Sequence, residues 1–473
     1  MTLRFYLTAA LSSLVLGVSA CHRVSMPSGV PGRTAALPAA CLPPSGGPTA
    51  TPAISRADLP ITDPLVTFDS AWQIIARTHW DTTYNGVDWT ALRDELRPQA
   101  AAATTTGALR GVLSDMVGRL RQSHFSIIPQ EVADAGTNAA PVSDRSGSPG
   151  FDVRYLDRGI VVSHVDTGGP AARAGVRAGW LVNAVDGCPT SARLARLPDS
   201  PDPRRTALSA YGVAVQTLAG AVGDTRRVQF LDGSNAARDV VLGLVPQPGS
   251  IVKFGNLPPM PAHLSYERVQ RDGRAIGVIR FNIWMLVLAP QFDAAIDALR
   301  DTDAIVLDVR GNFGGVGGMS MGIAGHFFDS ARTIGTMHQR GNSLKFVANP
   351  RRVSTTNQAV SPYGGPLALV VDELSISTTE VFAGGLQALG RARVFGAQTA
   401  GQALPAVSER LPNGDILYHA IADFTSPTGQ ALEGAGVMPQ QVTPLTRRAL
   451  LGGMDPALDA ALAWAVTQRR LQP

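Results

Sequence analysis

Cysteine, lysine and long apolar runs are the scarce features of this chain. Of its 473 residues three are cysteine (Cys21, Cys41, Cys188) and two are lysine (Lys253, Lys345). With no Cys/His spacing, neither a zinc framework nor a dense disulfide scaffold can be built. The formal charge of +4 is small for this length, and no Lys/Arg run occurs; both argue against a nucleic-acid partner. The apolar run at 5–18 is too short to span a bilayer comfortably. No internal repeat is visible.

The N-terminus reads as a targeting segment, 1–21. Arg4 supplies its positive end, 5–18 its apolar core, and Val18-Ser-Ala-Cys21 places small residues before a cysteine. This resembles a bacterial lipobox, which implies a lipid on Cys21 and a mature chain outside the cytoplasm. It would be anchored to the cell envelope, facing the periplasm or exterior, on the outer membrane where the cell has one. A plain signal peptide is the other reading. Residues 22–60 are rich in Pro, Gly, Ser, Ala and Thr and read as a disordered tether. In an oxidising compartment Cys41, in that tether, and Cys188, in a turn, could pair or stay as separate thiols.

From 61 to 135 the pattern is helical. Phe68, Trp72, Ile75, then Trp89, Leu92, Leu96, then Leu109, Leu113, Val117, Leu120 recur at helical spacing. Pro64 and Pro98 punctuate. Alternation around Phe125 and Ile127 predicts a short strand, with His124 at the helix-to-strand junction.

A polar linker precedes 142–246. Here Gly147-Ser148-Pro149-Gly150-Phe151, a strand from Gly159, the run Gly169-Pro-Ala-Ala-Arg-Ala-Gly-Val176 and Val185-Asp-Gly187 resemble a PDZ domain. Strands around 226–231 and 240–245 would close it. The resemblance implies that the backbone N–H groups of Gly147 to Phe151 hold a peptide's C-terminal carboxylate while its tail adds to a sheet edge.

The main domain, 260–473, alternates strands and helices and so predicts a layered α/β core. The strand Ala304-Ile-Val-Leu-Asp308 is apolar throughout, as in a sheet covered on both faces. A second apolar strand at 366–371 runs into a polar turn and then a helix from Glu380. A Ser before a helix N-terminus sits among outward-pointing N–H groups, where an oxyanion is stabilised; the plainer reading is a helix cap with Glu380 closing a capping box.

Leu307-Asp-Val-Arg-Gly-Asn-Phe-Gly-Gly315 resembles the Leu-Asp-x-Arg-x-Asn-x-Gly-Gly signature of the C-terminal processing (tail-specific) peptidases, family S41. Ser375-Ile-Ser-Thr-Thr-Glu380 resembles that family's nucleophile segment, which implies Ser377, not Ser375, as nucleophile. The implied fold is the ClpP/crotonase-like α/β protease core, with an N-terminal helical subdomain and an inserted PDZ domain. The better-known branch pairs its Ser with a Lys; the matching position here is Gln402, and neither lysine is well placed. Leu120-Arg-Gln-Ser-His124 instead resembles the Leu-x-Asp-x-His segment of the tricorn-like branch, with Gln122 replacing Asp. That implies His124 as base, with Ser123 and Glu433 orienting it. Glu433 sits in Leu432-Glu-Gly-Ala-Gly-Val-Met-Pro439, similar to the family's Leu-Glu-Gly-x-Gly-Val-x-Pro. The implied oxyanion hole is the N–H of Thr378 with Gly314 or Gly315. Asp308 and Arg310 read as a structural ion pair.

The expectation is an endopeptidase that acts through an acyl-enzyme on protein or peptide substrates selected by their C-terminal tails, with no metal or cofactor. Two alternatives stand: an inactive binding or scaffold protein of the same fold, and an esterase using Ser320 in Gly318-Met-Ser-Met-Gly322, which fits a nucleophile-elbow pattern.

Overall fold

The computed structural model describes residues 41, 59–61, 63–134, 147–257 and 259–468. Cys21, the targeting segment and nearly all of the tether lie outside them. Among the described residues no helix is long and apolar enough to cross a membrane.

Three helices open the described chain: α1 (Pro64–Thr78), α2 (Trp89–Ala101) and α3 (Thr106–Gly118). Each starts at a side chain that accepts from the first turn, Asp63, Asp88 and Thr105 respectively. Their apolar stripes meet in one cluster around Phe68, Ile75, Leu92, Leu96, Leu109 and Leu113. Trp72 is only half-buried against it. Pro98 does not end α2, which runs on to Ala101. That close to the C-terminus the missing N–H removes only one intrahelical bond. Strand β1 (Ser126–Ile128) follows and pairs antiparallel with Ile416–Ala420, far along the chain. The helical cluster therefore shares its core with Leu411 and Leu417.

Residues 151–243 form an antiparallel sheet in chain order: β2 (Phe151–Leu156), β3 (Gly159–Val165), β4 (Leu181–Val185), β5 (Thr225–Leu231) and β6 (Ala237–Gly243). Helix α4 (Pro203–Leu218) buries Ala210, Ala214 and Leu218 against Phe151, Val153 and Phe230. Its small-residue face lets it lie close to the sheet. Gly147–Ser148 pairs with Val245–Pro246 and closes this inserted module. Cys188, just after β4, forms a disulfide with Cys41.

The remaining chain is built on a second sheet. Its strands are β7 (Leu264–Arg271), β8 (Arg274–Phe281), β9 (Ala304–Asp308), β12 (Leu367–Val371), β13 (Arg393–Gly396) and β17 (Gln441–Val442), adjacent in that order. All neighbours but β7 and β8 run parallel. Period-two alternation divides the strands between two cores. Ile279, Leu307, Leu369 and Val394 face α5 (Ala289–Leu299), α6 (Gly317–Ala324) and α7 (Thr378–Ala388). Ile276, Val278, Val306 and Val370 face the closing helix α8 (Pro456–Thr467). This double cover is why β9 and β12 are buried at every position. Between β9 and β12 the hairpin β10 (Arg332–Gln339) and β11 (Asn342–Ala348) makes a small sheet with β16 (Asp423–Thr425). Strands β14 (Ala406–Arg410) and β15 (Ile416–Ala420) form the hairpin that receives β1. Asp308 and Arg310 pair at 2.6 Å, and Arg310 also grips Asp455 at the start of α8. The ion pair expected from the sequence is therefore present.

Candidate active site

The site grows from the end of β12. After Val371 the chain turns through Asp372 and Ser375, both buried, and enters α7 at Thr378. Ser375 Oγ donates to Val309 O at 2.8 Å and holds the turn against the strand end beside it. Between Leu374 and Glu380 only Ser377 is not fully buried. Its backbone has φ 59° and ψ −120°, outside the helical region, at the residue that caps α7. A side chain held at such a φ is costly and is found where surrounding contacts enforce it.

Those contacts come from a buried carboxylate. Glu380 Oε2 accepts from the N–H of Ser377 at 3.2 Å and of Gln402 at 2.9 Å. Glu380 Oε1 accepts from Gly401 N–H at 2.7 Å and Thr399 Oγ1 at 2.6 Å. Burial pushes the Glu380 carboxyl up to about 7, against the pull of these donors. The loop 399–403, where the Ser–Lys branch would carry its lysine, is here a backbone clasp. Gln402 O also accepts from Ser377 N–H at 2.9 Å.

His124 stands just before β1, also at positive φ, 60°. Its Nδ1 lies 2.7 Å from Ser123 Oγ, and Ser123 Oγ lies 2.8 Å from Glu433 Oε2. Glu433 further accepts from Ser123 N–H at 2.8 Å and Ala403 N–H at 3.0 Å. Proton bookkeeping fixes the tautomer. A carboxylate only accepts, so the single hydroxyl proton of Ser123 goes to Glu433. Ser123 Oγ must then accept from Nδ1–H, leaving Nε2 as the lone-pair nitrogen. Burial lowers the His124 pKa to about 4 and keeps the ring neutral. Burial raises the Glu433 carboxyl, opposed by the Ser123 and Ala403 donors. The ring of Tyr418, on β15, packs 5.6 Å from the imidazole.

Ser123, His124 and Glu433 thus form one hydrogen-bonded chain, and the 399–403 clasp connects Glu433 to the Ser377 backbone. Ser377 Oγ makes no hydrogen bond to His124 among the described residues. Such bonds are often formed only when substrate is bound.

The glycine loop after β9 lies against Ser377. A Cβ on Gly314, whose φ is +85°, would sit 2.7 Å from Ser377 Cβ. Gly314 N–H is donated to Asn312 Oδ1 at 3.1 Å. The N–H groups of Gly315 and Thr378 find no acceptor among the described residues, and Gly315 O accepts from Thr378 Oγ1 at 2.9 Å. The local geometry thus leaves Gly315, rather than Gly314, with a free donor. Asn312 is fully buried and binds Phe281 O, Gly314 N–H and Thr379 Oγ1. It is the Asn of the Gly-Gly signature, whose pattern gives its position in the loop but not these three partners.

Elsewhere, Ser320 lies inside α6, is fully buried and donates to Gly317 O at 2.6 Å. It sits on no strand-to-helix elbow, so the esterase expectation loses its nucleophile. In the 147–151 loop Gly150 N–H goes to Ser148 Oγ at 3.2 Å, and Pro149 O accepts from Ala171 N–H at 3.2 Å.

Residues 275–443 match the family described as Peptidase family S41, and residues 62–118 match the Tricorn protease C1 domain. The chain is 26% identical over 388 residues to a chloroplastic C-terminal processing peptidase of Tetradesmus obliquus, covering 80% of this chain and 77% of that one. It is 24% identical over 383 residues to a carboxyl-terminal-processing protease of Picosynechococcus, covering 79% and 82%. Among solved structures, the photosystem II D1 C-terminal processing protease has a TM-score of 0.56 at 20% identity, covering 82% of this chain and 95% of that chain. Mature CPAF has a TM-score of 0.58 at 13% identity, covering 85% and 97%. The signature loop and the helix-capping serine fall inside the Peptidase family S41 match and the N-terminal helices inside the Tricorn protease C1 match; the comparisons thus give the chain an S41-type peptidase region at 275–443 and indicate a serine-type peptidase.

Proposed function

We propose that this peptidase cleaves proteins through an acyl-enzyme on Ser377, with His124 as general base. The hydrogen-bonded chain Glu433–Ser123–His124 is the observation that carries the reading. In the first step the Ser377 hydroxyl proton passes to His124 Nε2 as Oγ bonds to the substrate carbonyl carbon. The oxyanion is held by the N–H groups of Thr378 and Gly315, with Gly314 giving the close approach. The imidazolium donates Nδ1–H to Ser123 Oγ, whose own O–H donates to the Glu433 carboxylate; a fixed, polarised partner of this kind orients the base. Collapse returns the Nε2 proton to the leaving amine, and water repeats the sequence on the acyl-enzyme.

Selection by C-terminal tails goes with reading 142–246 as a PDZ domain whose 147–151 loop takes the carboxylate. The division into 61–135, 142–246 and 260–473 belongs to the same reading. An extracytoplasmic location, with lipid on Cys21, is supported by the lipobox-like segment and by the disulfide, a bond that persists in oxidising compartments.

The test is cleavage of β-casein by the chain lacking residues 1–21, beside Ser377→Ala, His124→Ala and Gln402→Lys, with fluorophosphonate labelling in parallel. Cleavage by the parent and loss in both alanine variants is expected. A labelled, active His124→Ala would refute His124 as base. Gln402→Lys is expected to gain nothing, because the clasp uses the backbone of that residue.

A further inference from the structure

Arg204 belongs to the first turn of α4, in the inserted module, yet its guanidinium ends in the loops behind the candidate site. Nη1 donates to Thr399 O at 2.9 Å and Ala435 O at 3.2 Å, and Nη2 donates to Gly434 O at 2.8 Å. The other side of the fork meets Asp202, Nε to Oδ1 at 3.0 Å and Nη2 to Oδ2 at 2.9 Å. Asp202 also caps α4 by accepting from Arg204 N–H at 2.9 Å. The planar fork is therefore held from behind by the residue that starts its own helix, and every N–H finds an acceptor.

The carbonyls it collects are not arbitrary. Gly434 and Ala435 directly follow Glu433 in the chain. Thr399 opens the clasp whose Gly401 and Gln402 bind Glu380 and whose Ala403 binds Glu433. The two loops also touch through Gly434 N–H to Gly401 O at 2.9 Å and Gln398 Nε2 to Ala435 O at 2.7 Å. Without a cation the converging carbonyls of Thr399, Gly434 and Ala435 would oppose one another. A Cβ on Gly401 or on Gly436 would come within 3.1 Å of Arg204 Nη1. Both loops thus run close enough to the fork that glycine leaves it room.

We infer that Arg204 is a positioning residue for hydrolysis: it binds the Glu433 loop to the 399–403 clasp and so sets how Glu433 meets Ser123. This rests on the Ser377–His124 reading above. The inserted module then completes the hydrolytic site from outside the core, and losing the fork would let Glu433 drift while Ser377, His124 and the glycine loop stay in place. The expected signature is a loss in kcat with little change in KM, since Arg204 acts on the relay and touches no substrate.

The experiment compares the purified chain with Arg204→Ala and Arg204→Lys. It measures the rate of fluorophosphonate labelling at Ser377 and kcat and KM on β-casein, each with and without added methylguanidinium at matched ionic strength. A thermal melt records folding. Arg204→Ala is expected to lose roughly 10–100-fold in labelling and kcat, the scale of a small misplacement of a catalytic group. KM should stay within about twofold, and methylguanidinium should restore part of the rate. Arg204→Lys should be intermediate, because an ammonium cannot reproduce the fork. Labelling of folded Arg204→Ala at the parent rate, a loss confined to KM, or absence of rescue would overturn the assignment. If Arg204→Ala does not fold, Arg204→Lys decides: an unchanged kcat with a lowered melting temperature makes the arginine mere glue. A parent chain that is neither labelled nor active refutes the Ser–His reading itself, whereas a labelled parent with an unaffected arginine variant refutes only the role of Arg204.

Discussion

Ser123 shows how much rests on one hydroxyl. It joins Nδ1 of His124 to Glu433 Oε2 by bonds of 2.7 and 2.8 Å. Removing it leaves Nδ1–H without its partner when the ring is charged. Hydrogen bonds to charged groups are worth about 1.5–3 kcal/mol, so Ser123→Ala is expected to lower kcat on a peptide substrate by about 10–100-fold. KM should hold, and steady-state kinetics checks both. The pH dependence follows from His124. Burial lowers its pKa from the usual 6.5 to about 4, so the neutral imidazole, the form the proposed base requires, persists as pH falls and is lost only as pH passes through about 4. The unfolded chain binds the proton from about pH 6.5 downward, so this group also withdraws stability as pH drops across that window. The labelling rate of Ser377 should therefore hold its plateau below pH 6; an acid limb at 6.5 or above would contradict this.

At the scale of elements, α7 and the glycine loop are set against each other with no spare volume. Gly314→Ala places a methyl 2.7 Å from Ser377 Cβ and 2.9 Å from Ile376 O at a φ of +85°. Both the clash and the left-handed backbone oppose it. The variant should remain folded, because the strain is local, while labelling of Ser377 falls by more than about 100-fold. Gly111, inside α3, is the opposite case, since a Cβ there meets nothing within 4 Å. Gly111→Ala is expected to raise stability by about 0.4–1 kcal/mol through a less flexible unfolded chain, as a denaturant midpoint would report. Local pattern alone located α7, the two buried strands and the loop between β9 and α6, because buried parallel strands and helix starts carry their signals in adjacent residues. It missed α4, whose Ala/Val surface has weak periodicity, and the hairpin β10–β11, whose strands show no clean alternation, β10 being mostly half-buried and β11 exposed over its first four residues.

For the molecule as a whole, the inserted module is attached by charge as well as by chain. Arg154 on β2 pairs with Asp372 beyond β12 at 2.9 Å, and Arg447 donates to Gly179 O and Asp232 O. The ring of Tyr211 on α4 lies 5.6 Å from Phe313 in the glycine loop. The disulfide adds a covalent tie across 147 residues, from before α1 to the edge of β4. Reduction, or Cys188→Ser, is expected to cost about 2–4 kcal/mol, visible as a lower melting temperature. Activity on a short peptide at 25 °C should be unchanged, because neither sulfur enters the network around Ser377.

By itself the sequence determined the residue types of the chemistry and the elements that carry them: a serine at a helix start, a glycine loop after a buried strand, a histidine at a helix-to-strand junction. Each depends on spacing within a few residues, where backbone geometry leaves little choice. Only the tertiary structure decided that Ser123 meets Glu433, 310 residues away, and that Arg204 meets the carbonyl of Gly434, 230 residues away. It also decided that Gly315 keeps its N–H while Gly314 gives its own to Asn312, and that Cys41 pairs with Cys188. Side-chain convergence of this kind is set by how the sheet, the helices and the module pack, and a motif carries no record of which distant groups that packing brings within 3 Å.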